Sequence, residues 1–238
     1  MDIRSFIEPV VALAEDAGRA IMEVYATNFE VQSKDDESPL TQADLASNRC
    51  IVAGLEALQS RLPIITEEAG LPDFEERRSW ERYWLIDPLD GTKEFVNRNG
   101  EFTVNIALID NNKPVLGVVH VPVHDKTYIG CEGVGAELRD ADKAPVSIHV
   151  SSTSGDPVRV VGSRSHRGAS LDAYLERLGE HKMVPMGSSL KFCVVAEGGA
   201  DLYPRLGPTS EWDTAAAQAV VEQAGGRVVT LDGKAMQY

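Results

Sequence analysis

The strongest constraint on this chain is a short apolar strand that ends at two closely spaced acids, Asp87 and Asp90. A strand aims its terminal side chains into a crevice, and Pro88 stiffens the turn so that the two carboxylates can converge. Gly91 lets the backbone approach a ligand closely, and Thr92 adds a hydroxyl group. An isolated motif of this kind is usually a turn with solvated acids. Together with two further acidic clusters, it predicts a cation site beside a phosphate-binding turn.

The two further clusters indicate which cation the site prefers. A β-branched strand ends at Glu67 and Glu68, and Asp213 lies near the start of a helix predicted over residues 211–224. The carbonyl of Leu89 is a further candidate ligand. Alone, Glu68 could be a loop residue and Asp213 a partner of the helix dipole. Such oxygen donors select Mg²⁺ or Mn²⁺, whereas zinc prefers thiolates and imidazoles, so we predict a magnesium site.

The order and spacing of these clusters resemble the lithium-sensitive, magnesium-dependent phosphatase superfamily that includes inositol monophosphatase and fructose-1,6-bisphosphatase. The resemblance covers essentially the whole chain. Within the superfamily, four segments resemble the 3′(2′),5′-bisphosphate nucleotidases of the CysQ type; they are residues 87–95, 99–105, 187–192 and 202–205. Inositol monophosphatases typically carry Thr-Asn where this chain has Lys93 and Glu94. This difference argues against a simple inositol phosphate as the main substrate.

The resemblance implies an α+β fold, the layered αβαβα sandwich of the superfamily, and two to three Mg²⁺ ions that Mn²⁺ can replace. It implies that Glu67, Asp87 and the Leu89 carbonyl hold the ion that activates the attacking water. Glu67 is thus both a ligand and a catalytic residue, and a third, weaker ion is expected near it. Asp87, Asp90 and Asp213 are implied to hold the ion at the leaving oxygen.

Other residues are implied to act beside these ions. Glu68 assists from outside the ligand set, and Asp44 draws the proton of Thr92, so that the threonine oxygen can accept a proton from water. Thr41 and Asp44 also match a variant of the helix capping box, so the residues alone leave a capping role for Asp44 open. The backbone N–H groups of Gly91 and Thr92 are expected to hold the scissile phosphate.

A second anion site is expected in the later part of the chain. Ser188 and Lys191 lie at the start of a predicted helix, and Arg205 follows in a strand-like segment. In the enzymes that the chain resembles, these positions hold the 5′-phosphate of a nucleotide, and His166 matches a position beside the base. A lone exposed histidine is more often a surface residue, so His166 ranks below the two cations. Asp213 is also expected to contact the substrate.

The length and composition predict a single domain over residues 1–238. An α+β half reaches about residue 150, and an α/β half follows. The predicted helices cover residues 5–26, 170–178, 188–198 and 211–224, and another follows Thr41; the predicted strands include 83–87, 102–108 and 115–123.

The charge and cysteine content limit the partners and the compartment. A net charge of −14 disfavours nonspecific binding to nucleic acid or to an anionic membrane. Three cysteines without C-x-x-C spacing are typical of a reducing compartment. No apolar run approaches the roughly 20 residues of a membrane span. We therefore expect a cytoplasmic protein without integral membrane contact, and leave open peripheral association at the inner face of the cell membrane.

Three functions compete at this point. The first is hydrolysis of the 3′-phosphate of adenosine 3′,5′-bisphosphate to AMP, with 3′-phosphoadenylyl sulfate as a further substrate that the sequence does not rank against it. The second is an inositol or sugar phosphatase with the same metal centre, and the third is a non-catalytic nucleotide- or metal-binding protein. The expected partner is a small-molecule nucleotide, and the expected state is a monomer with an oligomer left open. The chain stops at Tyr238, a little before similar enzymes usually end, which we expect to affect local stability and not chemistry.

Overall fold

The chain folds into alternating layers of helices and sheets. The computed structural model describes residues 2–33, 39–141, 143–163 and 168–238. Its helices are α1 (Ile7–Tyr25), α2 (Gln42–Ala57), α3 (Phe74–Arg77), α4 (Thr92–Val96), α5 (Ala169–Leu178), α6 (Leu190–Ala196) and α7 (Ala215–Gln223), with short 3-10 helices at Ile3–Phe6 and Glu67–Ala69. Its strands are β1 (Val31–Ser33), β2 (Pro39–Thr41), β3 (Ile64–Thr66), β4 (Arg82–Asp90), β5 (Thr103–Asp110), β6 (Lys113–Val121), β7 (Lys126–Cys131), β8 (Gly135–Asp140), β9 (Val146–Ser147), β10 (Val158–Gly162) and β11 (His181–Pro185).

The central layer is a mixed sheet in which β3 to β9 follow one another in chain order. β3 pairs with β4 in parallel, and the later pairs are antiparallel. α1 and α2 cover one face of this sheet. Because apolar residues recur at helical spacing in α1, one stripe of it is buried in this core; the stripe consists of Val10, Val11, Ala14, Ala17 and Ile21.

On the opposite face, α7 lies unusually close to the sheet. Gly117 on β6 and Gly130 on β7 are cross-strand partners. A Cβ atom on Gly117 would lie 2.0 Å from the carbonyl oxygen of Ala216, and one on Gly130 would lie 2.5 Å from that of Ala219. Glycine at both positions therefore allows the helix backbone to rest directly on the strands. This contact fixes where the residues just before α7, including Asp213, meet the sheet.

The second sheet completes the layering. β10 and β11 pair in parallel. Val161 of β10 packs with Val194 of α6, whereas Val160 packs with Leu171 and Leu175 of α5. The layers are therefore α1 and α2, the large sheet, α6 and α7, the small sheet, and α5. The αβαβα sandwich is confirmed, and the division of the chain at about residue 150 stays a prediction.

Two predicted helices begin later than expected. The prediction over 188–198 corresponds to α6, and the prediction over 211–224 corresponds to α7, which starts only after Asp213. The carboxylate of Asp213 accepts hydrogen bonds from the Ser210 N–H and the Thr209 hydroxyl. Such local side-chain bonds compete with helix formation. Within the described ranges, no helix is long and apolar enough to cross a membrane.

Candidate active site and metal centre

The register of the parallel pair β3–β4 brings two predicted acids together. Thr66 lies opposite Ile86, so that the next residues, Glu67 and Asp87, come side by side where the strands end. Besides burial, the charge of Glu67 and the closeness of its carboxyl group both raise the pKa of Asp87. Glu68 follows within the short 3-10 helix and is half-buried; its predicted supporting role is untested.

Four acids form one electrostatic cluster. Burial raises the pKa of Asp87 well above its ordinary value, and the charges of Glu67, Asp90 and Asp213 raise it further. Burial and the charge of Asp90 likewise raise the pKa of Asp213 to about 6. Clustered carboxylates repel each other at neutral pH, and a bound cation or a shared proton relieves that repulsion.

The chemistry of this cluster fits Mg²⁺, but its ligand set is not closed. Among the described residues, no three His, Cys, Asp or Glu side chains are grouped so that they could hold an ion as they stand. Some carboxylate oxygens are engaged elsewhere. Asp90 Oδ2 accepts the N–H and the hydroxyl of Ser189, each at 2.5 Å. Asp213 Oδ2 accepts bonds from Thr209 Oγ1 at 2.9 Å and Ser210 N at 3.0 Å. The donor atoms are those that Mg²⁺ prefers, and the ion positions stay a prediction.

The turn after β4 is shaped by its own backbone. The pairing of β4 with β5 shifts register between Asp87 and Asp90, which turns this end of the strand out of the regular ladder. The Leu89 N–H donates to Asp87 Oδ1 at 3.1 Å, and the Leu89 carbonyl accepts the Thr92 hydroxyl at 3.3 Å. Gly91 has φ +92°, a conformation that favours glycine, and it begins α4. The predicted turn is therefore present, and its contacts with a phosphate stay a prediction.

Asp44 makes both of the contacts that its two proposed roles require. Its Oδ2 accepts bonds from Thr41 N at 2.8 Å and Thr41 Oγ1 at 2.7 Å, which completes the capping box of α2. Its Oδ1 accepts the Thr92 hydroxyl at 3.2 Å. The Ser47 hydroxyl also donates to the Pro88 carbonyl at 2.6 Å, so α2 is tied to the end of β4. Capping is confirmed, and it does not compete with the contact to Thr92.

A cavity of about 730 Å³ opens beside the acids. This volume lies within the range of small-molecule sites. Two of the acids and the turn after β4 line it together with basic side chains and the ring of Tyr203. Its lining includes Asp90, Gly91, Thr92 and Asp213, and also Lys93, Lys191, Tyr203 and Arg205.

Lys191 is a buried cation in the lining of this cavity. It is only 8% exposed, and its Nζ lies 5.6 Å from the centre of the Tyr203 ring. Within the described part of the chain, its ammonium group makes no hydrogen bond and no ion pair. Burial lowers the pKa of Lys191, while the charges of Asp90 and Glu94 work in the opposite direction. A buried ammonium group without a partner is a ready site for an anion.

The other residues of the predicted second anion site differ in their settings. The strand-like segment over residues 202–205 does not form a strand. Leu202 makes only an isolated bridge with Val160, and Pro204 has no N–H to donate to a neighbouring strand. Arg205 therefore lies on an exposed loop, where its Nη2 donates to the Pro208 carbonyl at 2.5 Å. Ser188 is buried and has φ +43°. His166 lies outside the described residues.

Sequence reasoning missed Ser189 and Asn105. Ser189 is 1% exposed, and its hydroxyl accepts the Asn105 side-chain amide at 2.9 Å while it contacts Asp90. Asn105 lies opposite Asp87 in the β4–β5 register. A signal was available for Asn105, since it interrupts an otherwise apolar strand. No local signal identified Ser189, because its partners are distant in the chain.

Comparisons with known proteins point to one family. The model of the inositol monophosphatase family matches residues 2–238. The chain is 50% identical to 3′(2′),5′-bisphosphate nucleotidase CysQ of Escherichia coli K12, over 98% of this chain and 93% of that protein. A crystal structure of CysQ from Bacteroides thetaiotaomicron matches with 38% identity and a TM-score of 0.82, over 94% of this chain and 88% of that one. An inositol monophosphatase from Anabaena matches with 26% identity and a TM-score of 0.79, over 100% of this chain and 88% of that one.

The family model spans nearly the whole chain, and the CysQ structure from Bacteroides thetaiotaomicron covers 94% of it. The chain belongs to the inositol monophosphatase family.

Proposed function

We propose that this chain is a Mg²⁺-dependent 3′(2′),5′-bisphosphate nucleotidase that converts adenosine 3′,5′-bisphosphate to AMP and phosphate. The similarity to CysQ of Escherichia coli supports the activity. The observation that carries the substrate is Lys191, whose buried ammonium group has no hydrogen bond or ion pair among the described residues and shares a cavity with Asp90 and Asp213. A substrate with two phosphates can meet the acids through one phosphate and Lys191 through the other.

Bound Mg²⁺ would neutralise the phosphate, lower the pKa of the attacking water and stabilise the leaving oxygen. Glu67, Asp87 and the Leu89 carbonyl are the proposed ligands at the side of attack. Asp87, Asp90 and Asp213 are the proposed ligands at the leaving oxygen. The raised pKa of Asp87 supports this assignment, because a buried acid among other acids gains most from a nearby cation.

Asp44 and Thr92 are proposed to take a proton from the attacking water. Because the Thr92 hydroxyl donates to Asp44 Oδ1, the lone pairs of Thr92 Oγ1 remain available. They can accept a proton from the attacking water, which increases its nucleophilic character. The N–H groups of Gly91 and Thr92 at the start of α4 are proposed to hold the oxygens of the scissile phosphate.

Lys191, Arg205 and Ser188 are proposed to bind the 5′-phosphate, and His166 to lie beside the base. Lys191 supplies a buried charge, whereas Arg205 supplies an exposed one from the loop that its bond to the Pro208 carbonyl holds. 3′-Phosphoadenylyl sulfate carries the same two phosphate positions with a sulfate beyond the second, so we propose it as a further substrate. An inositol monophosphate offers no group for Lys191, which disfavours that alternative.

For the cellular setting we propose the cytoplasm and a monomeric enzyme. Cys50, Cys131 and Cys193 are free thiols, which suits a reducing compartment.

Phosphate release tests this function directly. Adenosine 3′,5′-bisphosphate, 3′-phosphoadenylyl sulfate and inositol 1-phosphate would be compared at equal concentration with Mg²⁺. We expect the bisphosphate to be hydrolysed with the highest kcat/KM, and excess chelator to abolish the reaction. A higher kcat/KM for inositol 1-phosphate would contradict the substrate, and full activity in chelator would contradict the metal.

A further inference from the structure

The side chain of Ser189 joins three segments of the site that are far apart in the chain. Its hydroxyl lies 2.5 Å from Asp90 Oδ2 at the end of β4 and 2.9 Å from the backbone carbonyl of Asp213. It also accepts the Asn105 amide of β5 at 2.9 Å. In addition, the Ser189 N–H donates to Asp90 Oδ2 at 2.5 Å. Two candidate metal ligands therefore meet at one buried serine.

The Ser189 hydroxyl has two hydrogen-bond acceptors within reach but only one proton to donate. A serine hydroxyl donates a single hydrogen bond, yet Asp90 Oδ2 and the Asp213 carbonyl are both acceptors within reach. The carboxylate is nearer and charged, so it takes the proton while it carries its full charge. When that charge is shared with a cation, the proton can turn to the Asp213 carbonyl. Ser189 can thus keep a hydrogen bond whether or not Asp90 shares its charge with a cation, and its backbone need not move.

The backbone around Ser189 is fixed from both sides. Upstream, the Gly187 N–H donates to Glu101 Oε2 at 2.8 Å, and Ser188 has φ +43°. Downstream, α6 begins at once and carries Lys191. The serine therefore lies between the acid cluster and the proposed 5′-phosphate site, on a turn that has little freedom to shift.

We propose that Ser189 is a positioning residue, which sets the placement of Asp90 relative to Asp213 and thereby the affinity of the acid cluster for a divalent cation. This inference rests on the proposed metal-dependent function. A purely structural serine would contribute to stability alone. A positioning serine must alter cation binding while leaving the phosphate contact of Lys191 intact.

Isothermal titration of the full chain with MgCl₂ tests the proposal without using activity. For Ser189→Ala we expect the Mg²⁺ affinity to fall about tenfold, the lower end for one charge-assisted hydrogen bond, because the backbone N–H contact remains. Ser189→Cys keeps the shape and offers a weaker donor, so its affinity should lie between those of Ser189→Ala and the unmodified chain. The Kd of adenosine 3′,5′-bisphosphate, measured in chelator, should change less than twofold in both variants.

Thr127→Val is the matched control. Thr127 is 2% exposed and its hydroxyl lies 2.9 Å from His120 Nδ1, so this change also removes a buried hydroxyl contact. It should lower the Tm and leave the Mg²⁺ affinity unchanged. If the unmodified chain binds no Mg²⁺, the proposed function fails. If it binds Mg²⁺ and Ser189→Ala binds it equally well, or loses nucleotide affinity to the same extent, only the role of Ser189 is overturned.

Discussion

Replacing Asp44 by asparagine separates the two contacts of its carboxylate. Oδ2 caps α2 through Thr41, and Oδ1 accepts the Thr92 hydroxyl. Asparagine has one oxygen and one NH₂ group. If the side-chain oxygen of the asparagine accepts the bonds from Thr41, the cap is kept and the NH₂ group faces Thr92. The Thr92 proton must then go to the Leu89 carbonyl, 3.3 Å away, and its oxygen can no longer pass a proton on.

The expected magnitudes differ enough to be separated. The asparagine oxygen can still accept the Thr41 N–H, so the capping box is largely kept and the free energy of unfolding should fall by about 1 kcal/mol or less. In a chain of 238 residues this lowers the Tm by about 2–4 °C. Loss of general base catalysis costs about 10²–10⁴ in rate, which corresponds to about 3–5 kcal/mol of barrier. Asp44→Asn should therefore remain folded and become nearly inactive.

The assay is kcat/KM for adenosine 3′,5′-bisphosphate at saturating Mg²⁺, with the Tm measured on the same samples. Thr41→Val is the matched control, since it removes the hydroxyl contact of the cap and leaves the contact between Asp44 and Thr92 in place. It should lose a similar amount of stability and keep most of the rate. Thr92→Ser should keep much of the rate, and Thr92→Ala should not. An Asp44→Asn enzyme with more than a tenth of the original rate would refute the proton role and leave Asp44 as a cap.

Three further predictions concern substrate, packing and pH. Lys191→Ala should reduce kcat/KM for adenosine 3′,5′-bisphosphate about ten- to a hundredfold, since a charge-assisted contact contributes about 1.5–3 kcal/mol. The slow hydrolysis of inositol 1-phosphate should barely change. Equal losses on both substrates would count against a 5′-phosphate site. Gly117→Ala should lower the free energy of unfolding, measured in urea, by about 1–3 kcal/mol or more, because its Cβ would collide with the backbone of α7. Gly207→Ala is the control and should be nearly neutral, because its Cβ would meet no atom within 4 Å. Equal effects of the two changes would disprove the close packing. Burial lowers the pKa of His120 from 6.5 to about 4, so the unfolded chain binds a proton that the folded chain excludes, and about 3 kcal/mol of stability should be lost as the pH falls from 6.5 to 4. Urea unfolding of His120→Asn should show a correspondingly weaker loss over that range. An unchanged pH dependence would mean that the pKa of His120 is the same in the folded and unfolded chain and would refute the prediction.

Much of the fold could be predicted because apolar spacing is a local property. The helices predicted over 5–26 and 170–178 are confirmed as α1 and α5, with ends that differ by one or two residues. The closeness of Glu67 to Asp87 could also be anticipated, since each acid lies at the end of a short apolar run. The roles of these acids as ligands stay predictions.

What could not be predicted depends on contacts between distant segments. Ser189 lies 99 residues from Asp90 and 84 residues from Asn105 in the chain, so no local pattern connects them. The sequence predicts an earlier start for α7 than the structure shows, because Asp213 resembles a first-turn residue. In the structure its side chain is bonded to the loop before it, and the helix begins only afterwards.

The glycine contact beneath α7 has a consequence for how the site opens. A helix whose backbone rests on the strands cannot shift without breaking the core, so the amides of α7 should exchange with solvent only through global unfolding. The loop before it is exposed at residues 207–209 and should exchange through local opening. Asp213 lies at the boundary, with its backbone next to the protected helix and its Oδ2 bonded to the loop. Opening of the loop would therefore free a carboxylate oxygen while the main chain that carries it stays in place.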